Sequence, residues 1–312
     1  MKIIDCTLRD GGFTCDFNWP KNFYIDYLNL TNYLDIEYVE IGYWQQKNKS
    51  KNLFYNINFD NCFKFKKLTN KKISIMSDFH YSSKNIYDYP KNKDKLASII
   101  RVTSRLEDID ECIEFTNDLK HYTKLKISIN FFNFSNYSIQ NIIRLKSKIK
   151  KSICDYVYIA DTHGNMNFNN FEEKKIKAIF SILDNVNNIG MHFHNNIGTA
   201  MSNYIYCKSK GIKFFDTTIF GIGRGGGNLK TEQIVLKKNM LINQFIYKHI
   251  NHLKLGFNVY ENITGLSSVS NIYAKYAYKN KIDLKTFTNF CKKLDRKNKD
   301  NFNMKILEKI YN

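Results

Sequence analysis

Short apolar runs rich in β-branched and aromatic residues recur along most of the chain. They read KIIDC (2–6), EYVEIG (37–42), ISIMS (73–77), IIRVT (99–103), LKISINF (125–131), DYVYIA (155–160), IGMHF (189–193) and KFFDTT (213–218). Runs of this length, bounded by polar turn formers, predict strands buried on both faces. The intervening segments carry apolar positions at helical spacing, as in NFYIDYLNLTNYL (22–34) and NIIRLKSKIKKSI (141–153). Eight strands, each followed by a helix, predict an α/β chain folded as a (β/α)8 TIM barrel. Beyond the eighth run the pattern turns helical and lysine-rich. A barrel domain over 1–238 and a small helical C-terminal extension over 239–312 are therefore expected.

Composition narrows the class. With 312 residues, 43% of them hydrophobic, the chain can bury a substantial core. No run approaches the roughly 18 uninterrupted apolar residues of a membrane span. The N-terminus has no basic segment followed by an apolar one, so a cytoplasmic protein without a membrane partner is expected. The seven cysteines, at 6, 15, 62, 112, 154, 207 and 291, are scattered and never spaced as CxxC, which argues against a disulfide framework. The formal charge of +19 would suit nucleic acid. However, its source is lysine spread along the whole chain, with arginine only at 9, 101, 105, 144, 224 and 296. Specific readers of nucleic acid concentrate arginine on one face, so no specific nucleic-acid partner is expected.

A barrel gathers the C-terminal ends of its strands at one mouth, where chemistry resides. The polar residues predicted there are Arg9 and Asp10, Glu40, Asp78 and His80, Asp161, Thr162 and His163, His192 and His194, and, after the last strand, Arg224 and Asn228. In MHFHNN (191–196), His192 and His194 are two apart on a strand and point to the same side. Together with Asp10, and with an amide oxygen from Asn228, they describe a mixed N/O site. Such a site suits Mn2+ or Mg2+, with Co2+ or Zn2+ as alternatives. A pair of hydrogen-bonded rim histidines is the competing reading. GIGRGG (221–226) matches GxGxxG but follows the eighth strand, whereas a dinucleotide fingerprint belongs in the first βαβ unit. There, Gly225 and Arg224 suit a substrate phosphate or carboxylate.

DCTLRDGG (5–12), the HxH pair and GIGRGGGNLKTE (221–232) together resemble the DRE-TIM metallolyase superfamily. That group includes 4-hydroxy-2-oxovalerate aldolase, 3-hydroxy-3-methylglutaryl-CoA lyase, and the isopropylmalate and homocitrate synthases. MHFHNNIGTAMSN (191–203) resembles the aldolase branch most. The resemblance implies that Asp10, His192 and His194 bind the metal and that Arg9 stabilises an enolate. Asn228 matches a ligand of the lyase branch.

The chemistry of these roles is coherent. A 2-oxo acid chelates a divalent ion, its neighbouring carbon becomes acidic, and a fixed guanidinium stabilises the charge that develops on oxygen. Glu40 would orient Arg9, while Gly11 and Gly12 would let the backbone turn closely around the metal. One departure stands out: the aldolases carry a proton-handling histidine three residues after the metal-binding aspartate, and this chain has Phe13. His163, in ADTHGNM (160–166), is the leading substitute, and Tyr273 lies in the region of the aldolases' catalytic tyrosine. The implied function is a divalent-metal-dependent carbon–carbon lyase, an aldolase acting on a 2-oxo acid and an aldehyde. The alternatives are a Claisen-type acyl-CoA lyase or synthase, or a catalytically silent barrel with a binding role. The resemblance also implies a homodimer and an aldehyde dehydrogenase partner.

Overall fold

The computed structural model describes residues 1–44, 52–182 and 188–308. Eight parallel strands close in chain order into one barrel: β1 (Lys2–Asp5), β2 (Tyr38–Tyr43), β3 (Lys72–Asp78), β4 (Ile99–Ser104), β5 (Lys126–Phe131), β6 (Tyr156–Asp161), β7 (Ile189–Phe193) and β8 (Phe214–Thr217). β8 returns to pair with β1, with Ile4 opposite Asp216. The outer layer comprises α1 (Lys21–Thr31), α2 (Phe59–Lys66), α3 (Ile109–Thr123), α4 (Ile139–Ile149), α5 (Glu173–Phe180), α6 (Ala200–Ser209), α7 (Thr231–Ile234) and α8 (Asn239–His249). This is the expected (β/α)8 architecture.

One repeat departs from the expectation of a helix after every strand. Between β3 and β4 the chain makes two 3-10 turns, Ile86–Asp88 and Asn92–Asp94, and no α-helix. Asn85 caps the first with its side chain, Pro90 interrupts any continuation, and Lys95 takes a left-handed conformation at φ 53°. A polar segment with those breakers cannot sustain helical hydrogen bonding.

Strand side chains alternate between the helix layer and the lumen. Outward residues such as Ile3, Val39, Ile75, Val102 and Ile129 join the main apolar core under the helices. Inward, the N-terminal end of the lumen is plugged by Ile4, Tyr38, Ile99, Tyr156 and Phe214, with the Tyr156 and Phe214 rings 4.8 Å apart. Polar groups fill the lumen above that plug.

The remaining helices are α9 (Val259–Leu266), α10 (Asn271–Lys279), α11 (Leu284–Lys293), α12 (Arg296–Asp300) and α13 (Met304–Glu308). Val269, Tyr273, Phe287, Phe290 and Leu307 give them an apolar cluster of their own. Polar contacts tie this segment to the barrel. Asn136 Nδ2 donates to the Ser268 carbonyl at 3.2 Å and to Asp300 Oδ1 at 2.7 Å, and Arg296 donates to Asn141 Oδ1 at 2.6 Å. The last residues, 309–312, lie outside the described ones.

Candidate active site

β1 runs into a tight 3-10 turn at Gly11–Thr14, which leaves Asp10 at the barrel mouth and fully buried. β7 brings His192 and, just past its end, His194 to the same point. Ligand atoms of these three side chains all lie within 4.8 Å of one another. His192 Nε2 and His194 Nε2 are 3.3 Å apart, and each is 3.7 Å from Asp10 Oδ2.

The far side of each imidazole fixes its tautomer. His192 Nδ1 lies 2.9 Å from Asp216 Oδ2, and His194 Nδ1 lies 3.2 Å from the Gly227 carbonyl. Both partners accept hydrogen bonds, so each ring carries its proton on Nδ1 and turns a bare Nε2 lone pair inward. Burial pushes the His194 pKa down to about 3 against the pull of Asp10, keeping that ring neutral. Burial alone would raise the Asp10 carboxyl, but the Arg9 guanidinium beside it holds it well below the usual carboxylate range.

A fourth group stands beside them. Asn228 Nδ2 donates to Asp10 Oδ2 at 2.6 Å and to the Ile222 carbonyl at 3.0 Å, while its Oδ1 is buried with no hydrogen-bond partner among the described residues. Two inward imidazole lone pairs and a carboxylate around one point repel one another unless a cation lies among them. The donor set therefore fits a divalent ion, and its oxygen and nitrogen character with no thiolate suits a hard or borderline metal.

The loop after β8 builds its part of this cradle through glycines. Asn228 pairs with His194 in an isolated antiparallel bridge, and Leu229 N donates to the Phe193 carbonyl at 3.2 Å. A Cβ on Gly223 would overlap the Asn228 amide, and Gly225, at φ +58°, lies against the Asn196 side chain. Gly11 and Gly12 serve a purpose other than the one expected. A Cβ on either would strike Trp19 and Ile222, or Phe17, so their role is close packing of the β1 loop, not approach to a metal.

Below the histidines runs a closed ring of buried charge. Arg9 donates from Nε to Glu40 Oε2 at 2.6 Å and from Nη1 to Asp10 Oδ1 at 2.8 Å. Arg101, fully buried, donates to Glu40 Oε1 at 2.9 Å and to Asp216 Oδ2 at 2.6 Å, with its guanidinium 4.2 Å from the centre of the Tyr158 ring. Asp216 in turn holds His192, which faces Asp10. Burial opposes ionisation of Glu40, but Arg101 and Arg9 bring its pKa down to about 2. Three carboxylates and two guanidiniums leave one net negative charge, which a bound cation would offset. Sequence reasoning missed Arg101 and Asp216. The signal was a charge of inward parity in the middle of IIRVT and KFFDTT, in strands otherwise apolar.

Above this floor opens a cavity of about 440 Å³. Phe132, Thr162 and Arg224 line both the cavity and the floor pocket of Arg9, Asp10, His192 and His194, so the two are continuous. Thr162 Oγ1 accepts from Asn133 N at 2.9 Å, leaving its own hydroxyl hydrogen to donate. Phe13 sits in the wall with its ring 4.9 Å from Phe17 and 6.1 Å from Tyr43, and the Arg224 guanidinium lies 4.0 Å over its face. His163 and Asp78 also line the cavity, as does Arg105, 3.6 Å from Asp78 Oδ1.

Two expected mouth residues, and the tyrosine that the resemblance suggested, have other work. His80 is exposed and paired with Asp108. Asp161 accepts from Asn165 N at 3.1 Å and Met166 N at 3.0 Å, clamping the loop after β6, and burial pushes its pKa up to about 7. Tyr273 is fully buried in the C-terminal cluster, outside the residues lining the cavity. Its hydroxyl is 3.2 Å from the Asn301 carbonyl and accepts from Asn303 N at 2.9 Å. That ring was expected at the site because of its place in the sequence; apolar packing against Phe290 and Phe302 turns it inward instead.

A family model described as HMGL-like matches residues 73–256, more than half of the chain. An (R)-citramalate synthase from Aquifex aeolicus is 27% identical over 294 residues, covering 88% of this chain and 52% of that protein. A 4-hydroxy-2-oxovalerate aldolase from Pelotomaculum thermopropionicum is 34% identical over 115 residues, covering 35% of this chain and 32% of that one. The chain spans about half the length of the curated synthases it matches. Among solved structures, the N-terminal domain of a candidate aldolase from Bacteroides vulgatus superposes with a TM-score of 0.72. It is 23% identical and covers 90% of this chain and 99% of that one, a likeness of fold. No helix among the described residues is long and apolar enough to cross a membrane.

Proposed function

Because this chain belongs to the HMGL-like family, we propose that it makes or breaks a carbon–carbon bond beside the carbonyl of a 2-oxo acid, through a pyruvate-like enolate. Asp10, His192 and His194 would hold a divalent ion, Mn2+ or Mg2+, with the Asn228 amide oxygen completing the protein's share. When bound, that ion supplies Lewis acidity to the substrate carbonyl. The chain's own residues do the rest. Arg9 has its Nε and one Nη bonded to Glu40 and Asp10, which leaves the outer edge of its guanidinium for charge developing on a substrate oxygen. Glu40 is held by Arg101 from the other side, so the fork cannot swing. Arg224 and Thr162, in the passage between floor and cavity, suit a substrate carboxylate.

The observation that carries this reading is the convergence of two inward imidazole lone pairs and a carboxylate beside a clamped guanidinium. The aldolase form is favoured by the 34% identity to an enzyme whose substrate is, by name, a 4-hydroxy-2-oxo acid. Cleavage beside the hydroxyl carbon of such an acid yields an aldehyde and a pyruvate enolate. A second form, a Claisen-type synthase, is favoured by the longer matches to synthases.

Exchange of pyruvate methyl protons in D2O, followed by proton NMR with Mg2+ present, tests the enolate directly. The protein should accelerate exchange over Mg2+ alone, and Arg9→Lys should lose about a hundredfold or more of it, since an ammonium cannot reproduce the planar fork. Absence of exchange, with thiol released from an acyl-CoA only when a 2-oxo acid is added, would favour the synthase form. Neither activity would mean a silent barrel.

A further inference from the structure

We propose that His163 and Asp300 form the proton-transfer pair of this cavity, with His163 carrying the proton and Asp300 acting as the positioning residue that fixes its tautomer. The proposal rests on the 2-oxo acid reading above and supplies what Phe13 removes. Both residues line the same cavity. His163 follows β6, whereas Asp300 closes α12 in the C-terminal segment, 137 positions away. Their side chains meet with His163 Nε2 3.0 Å from Asp300 Oδ1.

The contact is held from both ends. The His163 carbonyl accepts from Asn196 Nδ2 at 2.9 Å, and Asp161 clamps the loop that follows. Asp300 Oδ1 also accepts from Asn136 Nδ2 at 2.7 Å, and its Oδ2 lies 3.7 Å from Arg296 Nε. A carboxylate only accepts, so the imidazole proton sits on Nε2 and Nδ1 keeps the lone pair. That is the arrangement by which a buried carboxylate fixes a general-base histidine.

Two other polar groups of the cavity suit the role of base less well. Asp78 accepts from His80 N at 2.9 Å and faces Arg105. Burial pushes the Tyr43 hydroxyl far above neutral pH. Among the described residues lining the cavity, His163 is the imidazole outside the metal triad.

In the step itself, a methyl C–H bond of the 2-oxo acid breaks and an N–H bond forms at His163 Nδ1. The C–H electron pair becomes the C2–C3 π bond, and the carbonyl π pair moves onto the oxygen that faces Arg9. The reverse step returns a proton, or a deuteron from D2O after the imidazolium exchanges with solvent.

Two measurements on the full chain test the pair. Nitrogen-15 NMR of His163, which needs no turnover, should find the proton on Nε2 in the wild type and a mixed tautomer population in Asp300→Ala. A wild-type Nδ1–H tautomer would overturn the proposal. In the pyruvate exchange assay, His163→Ala should slow the maximal rate by about a hundredfold or more. The isosteric Asp300→Asn should slow it by at least about tenfold with little change in KM, and Asp300→Glu should recover part of the loss. If Asp300 acts through His163, the double variant should be no slower than His163→Ala alone. Multiplying losses, or an Asp300→Asn variant with wild-type exchange, would overturn the proposal. A wild-type protein with the Nε2–H tautomer but no exchange on any short 2-oxo acid would count against the substrate reading, while the pair itself would stand supported as an oriented base.

Discussion

At the floor of the cavity, Arg9, Glu40, Arg101, Asp216, His192 and Asp10 close a ring in which every member meets two others. The upper wall is built of Phe13, Tyr43, Tyr55, Tyr81, Phe132 and Phe302, with amides and a few ion pairs between them. The floor is drawn from strands β2, β4, β7 and β8, whose register allows little movement, and from the tight turn after β1 that carries Arg9 and Asp10. The wall comes mainly from loops and from a helical segment with its own apolar cluster. Charges locked in a barrel cannot be exchanged singly without leaving a buried partner unpaired, whereas aromatic rings can be traded for others of similar volume. On the proposed function, this contrast would put the metal and the enolate-stabilising guanidinium at the floor and most of the substrate's surroundings in the wall. The departure from the aldolase pattern, Phe13, falls in the wall.

The contrast can be broken most directly at Arg101, which touches no substrate in this account. Arg101→Met would leave Glu40 with Arg9 as its one guanidinium and Asp216 with none, and should cost about 3–5 kcal/mol of stability, read as a lowered urea midpoint. A loss under about 1 kcal/mol, the range of an exposed ion pair, would show that the ring is not an interlocked unit. The wall should respond far less. Phe13→Leu trims ring contacts with Phe17, Tyr43 and Arg224. It should cost less than about 1.5 kcal/mol, leave metal content unchanged, and shift KM more than the rate of pyruvate exchange. Loss of bound metal in that variant would contradict the separation of floor from wall.

The same contrast explains what could be read from the sequence. The strands were legible because each is a short apolar run bounded by breakers, and the mouth residues followed from the strand ends. Arg101 and Asp216 were present in the same runs but were passed over, because attention to strand ends discounts a charge in mid-strand even where its parity points inward. The missing helix between β3 and β4 was signalled by Asn85 and Pro90, weak against the regular beat of the other repeats. The meeting of His163 with Asp300 had no local signature at all. It depends on how the C-terminal cluster docks through Asn136, Ser268 and Arg296, a tertiary event that no spacing encodes. Tyr273 illustrates the converse, a residue well placed in sequence that apolar packing turns away.

The central claim is that Asp10, His192 and His194 form a metal centre at the floor, and elemental analysis beside circular dichroism tests it most directly. The wild-type protein, dialysed against Mn2+ or Co2+ and freed of excess, should retain about one divalent ion per chain, while Asp10→Asn and His192→Ala should lose it and still show a folded spectrum. Full metal content in both folded variants would contradict the account.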